Sequence, residues 1–530
     1  MTKSLGVMID CSRNGVMRPE KVKEFAELIA ECGYNMLMLY TEDTYEISDE
    51  PFFGYMRGRY TKEELKELDA YCKTLGIELV PCIQTLAHLK RIAGWPDYKD
   101  MFDLDDVLLA GDERVYRLID RMFETLEECF TTRRAHIGMD EAHMIGLGKY
   151  LDRNGYRDRT EILCDHLKRV NEIARKHGFS TMIWSDMFVR LNNHGAYYGD
   201  AIEIPQSTVR AVPKDVELIY WDYYSKEKAH YDAMLKTHSA FRNNPVGFAG
   251  GVWTWCGYAP HLTFSLDAAE EAMKAIAERP VSTLFFTLWG DNGKDCSYFS
   301  TLPVLFAAAE MARGTFSRGV IAQRFEERFG YGFSEFLALE TPNLAADERS
   351  TNANPCKYLL FNDPFLGLFD HTVTDGLAAR YRAAAEEVRR SVNGRRFDAL
   401  FDFTAKLLDV LSEKCDLGIR IRKAYGENDR EALRLLANES IPELVKKTDV
   451  LYRAFRALYL SENKAFGLEV QENRFGSLLL RLRSCAERLN DYLDGTVEKI
   501  DELEEKQVAF GKKEPIRFNK YANIFTACEA

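Results

Sequence analysis

The sequence lacks the patterns that mark membrane, secreted and nucleic-acid-binding proteins. No segment of its 530 residues is apolar for long enough to cross a bilayer, and the chain turns polar too soon after its first apolar run for a signal peptide. Acidic residues outnumber basic ones by 83 to 70, and the formal net charge of -13 argues against a protein that follows a phosphate backbone. We therefore expect a cytoplasmic protein with neither a membrane nor a nucleic acid as partner.

Paired cysteine motifs are also missing. The 12 cysteines are scattered from Cys11 to Cys528 without a Cys-x-x-Cys pair, and several lie inside apolar runs. This distribution is typical of reduced, buried thiols and argues against a disulfide framework or a zinc site. We expect no metal ion and no cofactor.

A phosphate-binding loop is the third absence. The string "DEAH" at 140–143 is also the acidic box of nucleic-acid helicases, which need an upstream Gly-x-x-x-x-Gly-Lys-Ser/Thr loop. No such loop precedes Asp140, and "GLGKY", which follows it, lacks the hydroxyl residue. The acidic pair therefore needs another explanation.

What the sequence does contain is an alternation of short apolar runs with amphipathic helical segments. This alternation predicts repeated βα units and a parallel sheet. The predicted strands are Ser4–Asp10, Asn35–Thr41, Ile77–Ile83, Ala135–Asp140, Thr181–Asp186, Glu217–Tyr224, Gly247–Trp255 and Ser282–Gly290. Eight units in just under 300 residues predict a (β/α)₈ TIM barrel. A doubly wound sheet would carry a glycine-rich turn after the first strand, where "CSRNGVMR" has a single glycine.

The character of the chain changes near residue 329. Long segments with apolar residues at helical spacing replace the strand-like pattern. We expect a catalytic barrel domain at 1–328 and an all-α C-terminal domain at 329–530.

Aromatic and charged residues collect at the predicted carboxyl ends of the strands, where TIM barrels have their active sites. Five of the six tryptophans fall at the ends of strands five to eight, and Trp95 lies in the segment after strand three. The polar residues expected at this rim are Asp10, Arg13, Asp43, His88, Asp140, Glu141, Asp186, Asp222 and Asp291. Aromatic walls with carboxylates that bind hydroxyl groups predict a sugar pocket.

Asp140 and Glu141 are adjacent, so they point in different directions from an extended chain. A retaining glycosidase with a carboxylate nucleophile needs two carboxylates about 5 Å apart across the bond, which adjacent residues supply poorly. A 2-acetamido sugar can instead use its own carbonyl oxygen as the nucleophile. Asp140 would then hold the amide N–H, a tyrosine hydroxyl the carbonyl oxygen, and Glu141 would be the general acid and base.

At these residues the sequence resembles a known family. "HIGMDEAH" resembles the His-x-Gly-x-Asp-Glu signature of glycoside hydrolase family 20, the β-N-acetylhexosaminidases, and the helical C-terminal part resembles that of a shorter bacterial branch. Further segments resemble family motifs in the same order along the barrel: "MIDCSRN", "LYTEDTYEI", "LVPCIQTLAHL", "MIWSD", "YWDYY", "VWTW" and "LWGD". The resemblance implies retaining release of terminal β-linked GlcNAc or GalNAc from glycans, through an oxazolinium intermediate.

The resemblance also implies the residues of the site. The catalytic residues would be Asp140, Glu141 and Tyr220, with Tyr220 holding the amide oxygen. The substrate-binding residues would be Arg13, Asp43, His88, His136, Trp184, Asp222, Tyr224, Trp253, Trp289 and Asp291, with His136 also supporting the acidic pair.

Several positions depart from the family pattern. Cys82 and Gln84 replace acidic residues, Ala87 replaces a glycine, and Asp291 stands where the family usually has Glu. Strand alternation puts Tyr220, Asp222 and Tyr224 on one face, but a bulge would give the amide role to Tyr223.

Two alternative functions remain open from the sequence. A metal-dependent hydrolase could gather His88, His136, Asp140 and His143, although their spacing matches no standard ligand motif. A non-catalytic carbohydrate-binding barrel would keep the tryptophans but has no need of an ionisable Asp-Glu pair. A homodimer through the helical domain is expected by analogy alone.

Overall fold

The computed structural model describes residues 4–200, 202–345, 350–511 and 515–528. Its strands are β1 Ser4–Asp10, β2 Met36–Glu42, β3 Glu78–Ile83, β4 Phe102–Leu104, β5 Val107–Leu108, β6 Arg134–His136, β7 Ser180–Trp184, β8 Glu217–Trp221, β9 Val246–Gly251 and β10 Thr283–Leu288. Within the described residues, eight parallel strands close into a barrel in the order β1-β10-β9-β8-β7-β6-β3-β2, and β4 pairs with β5 as a small antiparallel hairpin. The predicted TIM barrel is confirmed.

The predicted strand ends were wrong at the mouth of the barrel. The fourth barrel strand, β6, ends at His136 and does not reach Asp140, and β8 ends at Trp221 and does not reach Tyr224. Past β6, Gly138, Met139 and Glu141 have φ values of 72°, 69° and 52°, a left-handed conformation that ends strand pairing. The hairpin β4–β5 was not predicted.

The helices follow the expected start and stop chemistry. The α-helices as far as residue 329 are α1 Pro19–Cys32, α2 Lys62–Thr74, α3 Lys90–Ala93, α4 Glu113–Cys129, α5 Lys149–Asn154, α6 Arg159–Lys176, α7 Asp186–Arg190, α8 Gln206–Ala211, α9 Lys228–His238, α10 Leu262–Glu278, α11 Leu302–Ala312 and α12 Arg318–Phe329. Pro19 opens α1, Gly33 closes it with φ 96°, and Thr61 and Glu64 form a capping box on α2.

The chain beyond residue 329 is helical, as predicted. Its α-helices are α13 Phe333–Leu337, α14 Pro355–Phe361, α15 Leu377–Arg389, α16 Asp398–Lys414, α17 Leu417–Gly426, α18 Arg430–Leu435, α19 Ile441–Glu462, α20 Leu468–Leu493, α21 Asp501–Glu504 and α22 Ala522–Phe525. Short 3₁₀ turns lie at Lys99–Met101, Tyr298–Thr301, Ala338–Asn343 and Asp370–Thr372, and a π turn at Leu436–Ser440. Across the described ranges, no helix combines the length and apolar character that crossing a membrane requires.

The chain divides into two compact units that are not continuous in sequence. The first comprises residues 4–252, 265–289 and 304–321, and the second comprises 253–264, 290–303 and the chain from 322 onward. The segments 253–264 and 290–303, which follow β9 and β10, thus group with the C-terminal helices. The expected domain boundary at 328/329 stays a prediction.

Within the second unit, buried charges fix the segment 290–303. Asp295 accepts hydrogen bonds from Lys357 Nζ at 2.6 Å, Gln471 Nε2 at 2.7 Å and Arg474 Nη1 at 3.1 Å. Burial opposes ionisation of Asp295, but the two cations lower its pKa below the ordinary value. The segment is therefore held to α14 and α20 by a fully paired buried carboxylate.

Candidate functional site

Asp140 and Glu141 converge on one imidazole. His88 Nε2, in the loop after β3, lies 3.2 Å from Asp140 Oδ2 and 3.8 Å from Glu141 Oε2. The prediction that the two carboxylates point apart assumed an extended chain, whereas the backbone turns left-handed at Glu141. Three residues expected at the rim are therefore brought together.

The Asp140 carboxylate is buried and held from two sides. Gln84 Nε2 donates to its Oδ1 at 2.7 Å and also lies 2.9 Å from Tyr40 Oη. Burial favours the neutral acid, but the charge of His88 and the hydrogen bond from Gln84 hold the pKa of Asp140 below its ordinary value. Burial likewise opposes charge on His88, and Asp140 overcomes it, raising the pKa of His88 to about 9. The pair is ionic at neutral pH.

Gly138 in the His-x-Gly-x-Asp-Glu signature is required by this packing. Its φ of 72° disfavours any side chain, and a Cβ there would overlap the Gln84 side chain that holds Asp140. Gln84 Oε1 also accepts from Met139 N–H at 3.1 Å. The glutamine that replaces an acidic residue of the family pattern thus holds the backbone and the carboxylate of the same loop.

Glu141 has different surroundings. Its side chain is 45% exposed, and its backbone N–H donates to Asp186 Oδ2 at 3.1 Å. Arg190 Nε donates to the same oxygen at 3.2 Å, and Arg190 Nη2 lies 3.9 Å from Glu141 Oε1. Burial and then the charge of Asp140 raise the pKa of Asp186, against the lowering effect of Arg190. Asp186, expected only as one of the rim carboxylates, and Arg190, to which the sequence assigned no role, therefore fix the position of Glu141.

Arg13 is paired with Glu42, and Asp43 is paired with Arg57. Arg13 Nη2 lies 2.9 Å from Glu42 Oε1, whereas Asp43 Oδ1 accepts from Arg57 Nε at 3.0 Å. The pairing of β2 with β3 shifts register between Tyr40 and Glu42, so strand alternation no longer indicates which carboxylate faces Arg13. The substrate contact assigned to Asp43 stays a prediction, and Glu42 is a further carboxylate at the same rim.

Two of the predicted tryptophans form one wall of this region. The Trp184 ring lies 6.2 Å from Trp289 and 4.3 Å from His136, and Trp289 meets Tyr40 edge to face at 4.8 Å. His136 Nδ1 accepts from Gly138 N–H at 3.1 Å, so its support of the acidic pair runs through the loop backbone. Burial lowers the pKa of His136 to about 3, which keeps its ring neutral.

Tyr220 is fully buried, and its hydroxyl is already engaged. It donates to Asp222 Oδ2 at 2.6 Å, while His230 Nε2 lies 2.6 Å from the same oxygen. The Tyr220 ring packs against His238 on α9 at 4.9 Å. This placement does not favour the predicted contact between Tyr220 and a ligand amide.

The alternative tyrosines lie just past the end of β8. Tyr223 stacks on Trp221 at 5.5 Å and covers Gly251, where an added Cβ would come within 2.8 Å of the Tyr223 ring. Tyr224 is 38% exposed. Because β8 ends before both residues, strand alternation does not indicate which of them would hold the amide oxygen.

The last two predicted contacts belong to the second compact unit. Trp253 stacks on Trp255 at 4.5 Å and lies beneath the Arg517 guanidinium at 5.3 Å. Asp291 has φ 27° on the segment 290–303. Their contribution to the site stays a prediction.

The ligand set of the metal alternative does not assemble. Of the four candidates, His88 and Asp140 form an ion pair, whereas His136 Nδ1 accepts a hydrogen bond from Gly138 N–H. Among the described residues, no group of three or more His, Cys, Asp or Glu side chains is arranged to hold a metal ion.

Two family models match the chain. "Glycosyl hydrolase family 20, catalytic domain" matches residues 5–239, and "Glycoside Hydrolase 20C C-terminal domain" matches residues 334–521.

Curated relatives are distant and match only part of the chain. Human hexosaminidase D is 25% identical over 244 residues, which cover 41% of this chain and 45% of that protein. A beta-hexosaminidase of Akkermansia muciniphila is 27% identical over 168 residues, covering 26% of this chain and 34% of that protein. The chain thus spans less than half the length of these two relatives. A solved GH20 exo beta-N-acetylglucosaminidase from Vibrio harveyi is 19% identical, with a TM-score of 0.47 over 64% of this chain and 58% of that chain.

We predict that Gly138→Ala destabilises the protein by roughly 1–3 kcal/mol, because it adds left-handed strain and displaces Gln84. Urea unfolding followed by circular dichroism measures the loss. Gly155→Ala is the matched control, since Gly155 also has a positive φ of 73° but has nothing within 4 Å of an added Cβ. Equal losses in the two variants would show that packing against Gln84 is not important.

We predict that His88→Asn lowers the free energy of unfolding in a pH-dependent way. The pKa of His88 is raised to about 9 in the folded protein from an ordinary value of 6.5. Its stabilising effect, about 3 kcal/mol, is therefore complete below pH 6.5 and is lost as the pH rises through 9. The difference between wild type and variant, measured by urea unfolding at pH 5.5, 7.5 and 9.5, should shrink at each step; a constant difference would contradict the ion pair.

Proposed function

Because the chain belongs to glycoside hydrolase family 20, we propose that it is a retaining exo-β-N-acetylhexosaminidase that releases terminal β-linked GlcNAc or GalNAc. The observation that carries the proposal is the unequal environment of two adjacent carboxylates. Asp140 is buried and fixed by Gln84 and His88, whereas the Glu141 side chain is 45% exposed. Two acids in such different surroundings suit two different roles.

Asp140 is the residue that orients the substrate's acetamido group. Its carboxylate is ionised and cannot swing away, because Gln84 and His88 hold both oxygens. A fixed carboxylate that accepts the amide N–H turns the carbonyl oxygen toward the anomeric carbon. Holding the two reacting atoms in place removes much of the entropic part of the barrier.

Glu141 moves the proton. In the first step the acetamido oxygen attacks the anomeric carbon, the glycosidic C–O bond breaks, and protonated Glu141 gives its proton to the leaving oxygen. In the second step water attacks the anomeric carbon of the oxazolinium, the bond from that carbon to the acetamido oxygen breaks, and the water gives a proton to the Glu141 carboxylate. Because each step inverts the configuration of the anomeric carbon, the two steps together retain it.

Tyr223 is our candidate for the hydroxyl that polarises the acetamido oxygen. It lies over Gly251 at the end of β9, whereas the Tyr220 hydroxyl is occupied by Asp222. The remaining substrate contacts proposed within the first compact unit are Arg13, Glu42, His88, Trp184, Trp289 and, by its exposure, Tyr224. The contacts assigned to Trp253 and Asp291 stay predictions from the sequence. Cytoplasmic location and homodimerisation stay predictions from the sequence.

The decisive experiment compares aryl β-GlcNAc, β-GalNAc and plain β-glucoside as substrates without added metal. We expect hydrolysis of at least one N-acetylhexosaminide, with the glucoside slower by about three orders of magnitude because it lacks the internal nucleophile. Glu141→Gln should lower kcat roughly 100- to 10,000-fold. The loss should be smaller for a dinitrophenyl leaving group, which needs little protonation.

Glu172→Gln, an exposed change on α6, is the matched control and should leave kcat unaltered. Equal turnover of the glucoside would rule out substrate assistance. Loss of wild-type activity with a chelator would favour the metal-dependent hydrolase. Tight sugar binding without release of the aryl group would favour a binding protein.

A second prediction separates the tyrosines. Tyr223→Phe should lower kcat about 100-fold, the usual effect of removing one hydrogen-bond donor to developing charge, and Tyr220→Phe only a few-fold. Steady-state kinetics on the preferred aryl N-acetylhexosaminide measures both. The reverse order would restore Tyr220 as the amide-oxygen partner.

A further inference from the structure

Three aromatic rings that the proposed site does not use form a compact surface cluster. The Phe52 ring stacks on Trp95 at 5.0 Å with 24° between the planes, and Tyr55 meets Phe52 and Trp95 nearly edge-on at 5.9 and 5.6 Å. We call Phe52, Tyr55 and Trp95 the aromatic platform. It includes Trp95, the one tryptophan that the sequence placed in the segment after a strand and not at a strand end.

The aromatic platform is not ordinary core packing. Tyr55 is 42% exposed and the adjacent Met56 65% exposed, whereas Phe53, which packs on Tyr45, is completely buried. Phe52 and Trp95 are partly exposed. Rings that served only to fill the interior would be covered as Phe53 is.

The aromatic platform lies at the same end of the barrel as the acidic pair. Phe52 and Tyr55 are in the connection from β2 to α2, and Trp95 follows β3. Both connections leave the carboxyl ends of parallel strands, as does the loop with Asp140. Arg57, two residues after Tyr55, donates to Asp43 and to the backbone oxygen of Ser12, the residue before Arg13.

Charge-assisted contacts brace the two connections. Arg121 Nη1 donates to Glu50 Oε1 at 2.5 Å, and Tyr98 Oη donates to Glu50 Oε2 at 2.6 Å, which ties the segment before Phe52 to the segment after Trp95. The rings are thus held in place before any ligand arrives. A preorganised surface loses less conformational entropy on binding than a mobile one.

We infer that the aromatic platform binds a pyranose ring further along the glycan whose terminal sugar occupies the proposed site. This inference rests on the proposed function. A pyranose has an apolar CH face that fits an aromatic ring and hydroxyl groups that fit carboxylates. Asp49 and Asp97, both exposed and close in sequence to the rings, can accept hydrogen bonds from sugar hydroxyl groups.

The size of the aromatic platform also favours a sugar over a second copy of the chain. A stable protein interface takes roughly 20–30 residues from each side. Among the described residues of the first unit, the large apolar side chains that are well exposed are Tyr55, Met56, Met144, Tyr156, Tyr224 and Val320, and only two of these belong here. A patch of three aromatic rings and one methionine is about the size of one or two sugar rings.

The test compares Trp95→Ala and Tyr55→Ala with wild type on substrates of two lengths. For β-linked GlcNAc oligomers of four to six sugars, we expect KM to rise roughly five- to tenfold with kcat unchanged. A rise of this size corresponds to the binding free energy of one lost aromatic contact. For an aryl β-GlcNAc monosaccharide, neither parameter should change. Phe466→Ala, with 43% exposure in the second unit, is the matched control and should behave as wild type on both.

Each result has a defined meaning. Unchanged KM on the oligomers, or equal losses on both substrates, would overturn the inference. A dimer in wild type that becomes monomeric in Trp95→Ala by sedimentation would also overturn it, by assigning the aromatic platform to a second copy. Trp95→Phe keeps an aromatic ring, so its KM for the oligomers should be close to that of wild type. This variant and Tyr55→Ala keep the inference testable even if Trp95→Ala folds poorly.

Failure of the proposed function is recognised separately. If the wild-type protein hydrolyses no aryl N-acetylhexosaminide, the proposed function is wrong. Binding of the same oligomers, measured by calorimetry on wild type and on Tyr55→Ala, then tests the aromatic platform without catalysis. If wild type and Tyr55→Ala bind the oligomers with equal affinity, the aromatic platform does not bind the sugar and the inference is wrong.

Discussion

The buried charge of Asp140 is the constraint around which the mouth of the barrel is built. An ionised carboxylate without water needs both partner charge and hydrogen bonds. His88 supplies the charge and Gln84 the hydrogen bond, and Gln84 reaches Asp140 only because Gly138 has no side chain. The signature glycine, the histidine and the glutamine are therefore consequences of placing one buried carboxylate in the loop just beyond a barrel strand.

Backbone strain gathers around the same carboxylate. His88, Met139 and Glu141 have positive φ values without being glycine, which costs about 1 kcal/mol or more for each residue. Strain of this kind persists where surrounding contacts determine the geometry, and here Asp186 holds the Glu141 N–H while Gln84 holds the Met139 N–H. The rigidity that the proposed chemistry needs is thus supplied by hydrogen bonds from neighbouring strands and loops.

The sequence predicted the barrel and its eight strands because those features depend on local periodicity. It predicted the site less completely, since side-chain direction depends on where each strand stops. Glu42, which pairs with Arg13 beside a register shift in β2, was not among the predicted site residues. Because β8 ends early, strand alternation does not indicate which tyrosine holds the amide oxygen. The sequence contains one weak indication of Arg190, because it lies four residues after Asp186, a spacing that allows an ion pair on a helix. Exposed ion pairs without a functional role have the same spacing.

The grouping of residues 253–264 and 290–303 with the C-terminal helices suggests what the helical part contributes. Asp291 lies four residues before Asp295, whose carboxylate is bonded to Lys357 on α14 and Arg474 on α20. Removing either cation would leave a buried charge with one fewer partner, so the segment and the helices are energetically one structure. The segment that carries Asp291 is therefore positioned by helices more than 50 residues away in sequence, which no local pattern in "LWGD" could have indicated.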